Sequence, residues 1–185
     1  MPPQVAHDGT AWSNAADDRV EMVDFDPSWH TQYEEEAAAL LSVLRPVGGL
    51  RLEHFGSTAV PNIRAKPIID ILLMHPMAAL WPELIDPITS LGYVYWAENP
   101  RKDRMFFVKG MPPFGSRRTH HLHVRLPADA AAELSLRDLL RADPALARQY
   151  ELLKDRLAQS YRTDREAYTD GKTAFISQVL RRRAV

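Results

Sequence analysis

The segment Ile68-Ile69-Asp70-Ile71-Leu72-Leu73-Met74 constrains the fold more than any other. It is apolar at both of its alternating positions and is bounded by Pro67 and Pro76. A run this short and this uniform is expected of a strand covered on both faces. The lone carboxylate within it is the informative exception. An aspartate in such a place is costly to ionise unless a metal ion, a cation or hydrogen bonds compensate. The plainer alternative is an aspartate near the strand end that caps a neighbouring loop.

The flanking segments supply the rest of a mixed architecture. Leu50 to Gly56 alternates as a half-buried strand, with Leu50, Leu52 and His54 on one side. Thr119 to Leu126 does the same. There Thr119, His121, His123 and Arg125 share one face, while His120, Leu122 and Val124 share the other. Further short strands are expected at Val20–Val23, Tyr93–Trp96 and Met105–Lys109. Asp26 and Pro27 open a helix whose apolar stripe includes Trp29, Tyr33, Leu40 and Leu44. Pro76 to Leu91 reads as a second helix. The last third reads as three more, at about 128–141, from Asp143-Pro144 to Tyr161, and from Asp164 through Val179. The central expectation is an α/β mixed sheet with 68–74 at its centre, the strands at 50–56 and 119–126 beside it, and C-terminal helices.

A chain of 185 residues with this pattern suits one domain, expected at 19–185 behind a leader at 1–18 that has no periodicity. That leader has no apolar core of a secretory signal, and no apolar run in the chain reaches the ~20 residues of a membrane span. The absence of cysteine removes disulfide scaffolds, thiolate zinc sites, iron–sulfur clusters and thiol catalysis, and makes a cytoplasmic setting the default. Net charge is −8 over residues 1–40, +3 over 41–140 and +4 over 141–185. That balance disfavours a general nucleic-acid binder, but leaves room for a local patch that holds a small anion. No P-loop, nucleophile elbow or dinucleotide fingerprint is present.

Three segments carry candidate chemistry. Gly56-Ser57-Thr58 ends a strand, where glycine permits close backbone approach and the hydroxyls can face phosphate oxygens, although the same tripeptide is ordinary turn chemistry. Lys66 precedes the strand that carries Asp70. His121 and His123 lie two apart on a strand, an arrangement that suits a metal or phosphate site but also occurs on exposed sheet faces. Between 101 and 125 there are seven basic residues and one acidic residue, Lys109 and Arg125 among them.

Taken together, Leu52 to Pro61, Ala65 to Ile71, Met105 to Gly110, Thr119 to Val124, Arg137 to Arg141 and Tyr168 to Lys172 resemble the signature of the GrpB family. The resemblance runs from about Val20 to the C-terminus. It implies the nucleotidyltransferase (polymerase-beta-like) fold, with Gly56-Ser57 as that superfamily's turn and Asp70 as its first carboxylate. Leu72 stands where a second carboxylate is expected, and no third acid is evident; His121 and His123 occupy the later strand.

In the reading this implies, Asp70, His121 and His123 hold a divalent ion (Mg, Mn or Zn) and serve catalysis. Gly56, Ser57, Thr58, Lys66, Lys109 and Arg125 bind a nucleotide or another phosphate-bearing small molecule. Two-metal nucleotidyl transfer needs more carboxylates than these. A transferase with a modified metal site therefore stands beside a binding module without turnover. A third reading, histidine-based phosphotransfer, rests on a similarity of His121-Leu122-His123 to histidine-triad hydrolases, with Arg125 where the third histidine would be.

Overall fold

Strand β2 (Ile69–Met74) forms where the doubly apolar run lies, and every residue in it except Asp70 is buried in the computed structural model, which describes residues 19–183. The leader expected at 1–18 lies outside the described residues. Strand β1 (Arg51–Phe55) pairs antiparallel with one edge of β2, and β5 (His120–Arg125) pairs parallel with the other. Strand β4 (Met105–Lys109) joins β5 antiparallel, and β3 (Tyr93–Tyr95) closes the sheet in the order β1-β2-β5-β4-β3. β2 is therefore an interior strand, but the middle of the sheet is β5.

Helix α1 (Ser28–Leu44) covers one face of the sheet. Its start follows the expected chemistry, with Asp26 Oδ1 accepting the Ser28 N–H at 2.8 Å. Trp29, Leu40 and Leu44 pack on Ile71, Leu73, Phe107, Leu122 and Val124, which makes this the main core. The opposite face is only partly covered. Helix α3 (Ala131–Ala142) lays Leu134 near Phe55, Leu72 and Met74. Helices α4 (Pro144–Ser160), α5 (Arg165–Asp170) and α6 (Thr173–Arg183) then form a wall beside the exposed part.

Several expected elements differ. Val20–Val23 forms no strand: Val23 makes a single bridge with Ala65, while Val20 N–H donates to the Arg162 carbonyl. The helix expected over 76–91 is a 3₁₀ stretch at Ala78–Leu84 followed by the short helix α2 (Ile85–Ser90). Pro82 and Pro87 each lack the N–H an α-helical ladder needs, so the segment cannot run as one helix. The final helix is split into α5 and α6 at Gly171, where a Cβ would collide with the Leu157 side chain. α6 still packs on α4, with Phe175 stacked on Tyr150 at 5.4 Å, and Lys172, in the turn between α5 and α6, lines the cleft. No helix among the described residues is long and apolar enough to cross a membrane.

Candidate functional site

The uncovered part of the sheet floors a cleft of about 1160 Å³. Strand alternation decides what faces it. Phe55 pairs with Asp70, Asp70 with His121, and Phe106 with His123, so these side chains share the cleft side. Gly56, Ser57, Thr58, Lys66, Asp70, His121, His123 and Arg125 all line it, although they come from segments far apart in the chain. Lys109 does not. It follows Val108 on β4 and points to the α1 side, where its Nζ meets both Glu36 oxygens at 2.7 and 2.8 Å. The phosphate-binding role expected of Lys109 is corrected on that ground: its charge is spent on the other side of the sheet.

Asp70, His121 and His123 each present a ligand atom, and these atoms lie within 4.8 Å of one another. The Asp70 Oδ1 is 3.1 Å from His121 Nδ1. Burial alone would raise the Asp70 carboxyl, but the His121 hydrogen bond and the positive charge around it outweigh this and hold it at about 2. Burial depresses His121 to about 4 and His123 to about 3, against the pull of Asp70. At neutral pH this is a carboxylate beside two neutral imidazoles, so His121 Nδ1 donates to Asp70. Its Nε2 is then a bare acceptor, buried and without a hydrogen-bond partner among the described residues. A buried lone pair with no donor is costly unless something fills it.

The surroundings fix these groups. Phe106 packs against both imidazoles, with ring centroids 5.1 Å from His121 and 4.7 Å from His123, and Phe55 meets His123 edge-on at 5.1 Å. Arg104 Nη1 approaches His123 Nδ1 at 3.4 Å. Gly56 has φ +71° and ψ −166°, a conformation only glycine adopts readily, and a Cβ there would collide with the Asp70 carboxylate.

Two other expected roles change with the contacts. The Thr58 hydroxyl lies 3.0 Å from His54 Nε2 and donates to the Ile68 carbonyl at 3.3 Å, so it ties the turn to β1 and β2 instead of facing a ligand. Arg125 is committed to Glu133 and, at 2.8 Å, to Asp103. Its charge is neutralised within the cleft wall. Arg137 and Arg141, part of the family-like segment, are struts: Arg137 donates to the His54 carbonyl at 2.9 Å and Arg141 to the Ala59 carbonyl at 2.7 Å. They clamp α3 onto the Gly56-Ser57-Thr58 turn. Ser57 is hydrogen-bonded to the hydroxyl of Tyr150 on α4.

Sequence reasoning missed Tyr150, Tyr168 and Lys172 as cleft residues. Their segments read as apolar stripe and tail, and Lys172 sits in the turn between α5 and α6.

The donor set fits one ion and not two. Leu72, where a second carboxylate would stand, is fully buried among Phe55, Met74 and Ala130. Glu53, its neighbour across β1, is bound to Arg137 at 2.7 Å. One carboxylate and two imidazoles suit Mn²⁺, Fe²⁺ or Zn²⁺ better than Mg²⁺, which prefers oxygen ligands.

Comparison with known proteins agrees with this architecture. The sequence profile of a family described as GrpB protein matches residues 19–182. A UPF0157 protein of Pseudomonas aeruginosa is 51% identical over 182 residues, covering 98% of this chain and 74% of that protein. The crystal structure of conserved protein GrpB from Enterococcus faecalis superposes with a TM-score of 0.75 at 35% identity, covering 86% of this chain and 94% of that one. The Cid1 poly(U) polymerase, in a form described as Mg 3'-dATP bound, superposes with a TM-score of 0.53 at 11% identity, over 74% of this chain and 43% of that one. At that identity the likeness is one of fold, the nucleotidyltransferase fold.

Proposed function

The chain belongs to the GrpB family, and from that premise we propose that its cleft binds a nucleotide or another phosphate-bearing small molecule beside a single divalent transition ion held by Asp70, His121 and His123. The observation that carries this reading is that Asp70, His121 and His123 bring one ligand atom each to within 4.8 Å of one another, with a carboxylate that stays ionised. A bound ion would polarise a phosphoryl oxygen. The chain's own part is to keep Asp70 charged and both imidazoles neutral, so that their nitrogens can accept an ion. Gly56 gives the ligand close approach, and Lys66 supplies positive charge. The lack of cysteine accords with work in the cytoplasm.

Manganese titration by calorimetry, with and without a nucleoside triphosphate, tests this. Asp70→Asn keeps the side-chain shape but removes the anionic ligand, and is expected to weaken Mn²⁺ binding by about 100-fold. Lys66→Ala is expected to leave Mn²⁺ affinity nearly unchanged. Equal Mn²⁺ affinity in wild type and Asp70→Asn would remove Asp70 from the metal site.

The apolar packing of Leu72 favours a second reading, a module that holds its ligand without two-metal nucleotidyl transfer. Release of pyrophosphate from a nucleoside triphosphate in the presence of Mn²⁺ would speak for the enzyme; tight binding without release would speak for the module.

A further inference from the structure

Beside the metal-ligand triad lies a second chemical feature in the same cleft. Tyr168 is buried, and its ring holds two ammonium groups, Lys66 Nζ at 4.8 Å and Lys172 Nζ at 4.5 Å from the centroid. A ring quadrupole attracts a cation but does not neutralise it. Neither lysine has a hydrogen bond or an ion pair with any described residue, in contrast to Lys109 and Arg125. Of the acids on this wall, Asp164 accepts the Ala167 N–H at 2.9 Å, and Asp170 pairs with Arg101 at 3.4 Å. Burial pushes Lys66 well down and Lys172 to about 8, with Lys172 the largest of the charges that oppose Lys66. Two like charges confined on one ring, with no ion pair of their own, form a site that an anion would complete.

We propose that Lys66, Lys172 and Tyr168 form a pyrophosphate-binding subsite that takes the second phosphoryl group of a ligand whose first phosphoryl group meets the Asp70–His121–His123 ion. The proposal rests on the metal-site reading above and names its ligand class more narrowly. Asp70 is the anion both lysines feel, so the two subsites border each other. With a divalent ion in place, Asp70 is committed to it, and once a bound anion keeps both lysines protonated, the ion, the lysines and Asp70 together leave a surplus of about three positive charges. A monophosphate ester brings about −2 and leaves that surplus unbalanced. A pyrophosphate group brings more charge and can span from the ion to the lysines. α6, which starts at Thr173 on the cleft wall, adds the positive end of its helix dipole to the same place.

The test is calorimetric titration of the full chain with pyrophosphate and with inorganic phosphate, each with and without Mn²⁺. Wild type is expected to prefer pyrophosphate by about tenfold or more, the worth of one charge-assisted contact. Lys172→Ala is expected to bring that preference close to unity while Mn²⁺ affinity without anion stays nearly the same. Lys172→Gln, which keeps the stem on the Tyr168 ring, controls for lost packing and is expected to lose the preference too; circular dichroism checks that both variants are folded. Undiminished preference in either variant, or equal affinity of wild type for the two anions, overturns the subsite. Mn²⁺ uptake without any pyrophosphate binding would overturn the subsite and leave the metal reading intact. Pyrophosphate binding that depends on Lys172 but not on Mn²⁺ would keep the lysine subsite, and would overturn both the metal reading and the bridging of ion and lysines.

Discussion

Lysines on the two faces of this sheet meet different fates. On the α1 face, Lys109 is locked to both oxygens of Glu36, a carboxylate whose side chain is 10% exposed. On the cleft face, Lys66 and Lys172 rest on the ring of Tyr168 and touch no carboxylate. Two histidines differ in the same way, although Nε2 of His120, on the α1 face, is also unpartnered. His54, on the α1 face, is stacked on Tyr33 at 4.8 Å and bonded to Thr58, whereas His121, on the cleft face, is left with an unpartnered ring nitrogen. The unpaired groups on the cleft face open onto a cavity, where a ligand would satisfy them.

Breaking the pair on the satisfied face has the largest expected effect on stability. Lys109→Met leaves Glu36 without its counter-ion next to the main core, and is expected to cost about 2–3 kcal/mol, somewhat less than a fully buried pair because Lys109 is partly exposed. Urea denaturation at neutral pH measures it. Adding Glu36→Gln should recover much of the loss, since the penalty is that of the stranded charge. A negligible effect of Lys109→Met would mean that solvent reaches Glu36, and the contrast between the faces would shrink.

The pH dependence of stability is the next probe. Burial holds His54 at about 4, well below its ordinary value of 6.5. The folded chain keeps His54 neutral where the unfolded chain takes up a proton. Its contribution is therefore fully present above pH 6.5 and is lost as pH falls towards 4. His121 and His123 act in the same direction. Wild-type stability should fall across this window, and His54→Phe, which keeps a ring against Tyr33, should reduce the slope by up to one proton, about 1.4 kcal/mol per pH unit. Identical slopes would show that His54 is hydrated in the folded protein.

The same contrast explains what the sequence could reveal. The run at 68–74 marks β2 because seven residues set between two prolines are apolar on both sides apart from Asp70. Period-two alternation at 119–126 separates His121 and His123 from His120, since Leu122 and Val124 label the core side. Along β4 that label is missing. Met105, Phe106, Phe107 and Val108 are all buried, so alternation cannot say which face Lys109 joins, and only the position of Glu36 on α1 decides it. Arg125 lies on the expected face, yet its charge is cancelled by Glu133 and Asp103, partners that the fold brings together across turns. Lys172 was the least legible of the cleft residues. It lies more than a hundred residues beyond Lys66, in the turn between α5 and α6.

The smallest expected effect sharpens the comparison because its sign is opposite. Lys172 is held at about 8, below its ordinary value of 10.5, by burial first and by Arg101, against the pull of Asp70. A lysine whose folded value is depressed disfavours the folded state wherever it must carry its charge, and the penalty fades as pH rises from about 8 to 10.5. Lys172→Met keeps the stem against Tyr168 and removes the charge, so without ligand it should stabilise the protein at neutral pH. Lys172 is partly exposed and solvent screens it, so the gain should be below about 1 kcal/mol. Urea denaturation at pH 7 and at pH 10.5 checks both points, the gain being present at the first and absent at the second. Lys109→Met and Lys172→Met then move stability in opposite directions, although each removes one lysine charge. If both destabilise, Lys172 is as well compensated as Lys109, and the cleft face is not short of an anion.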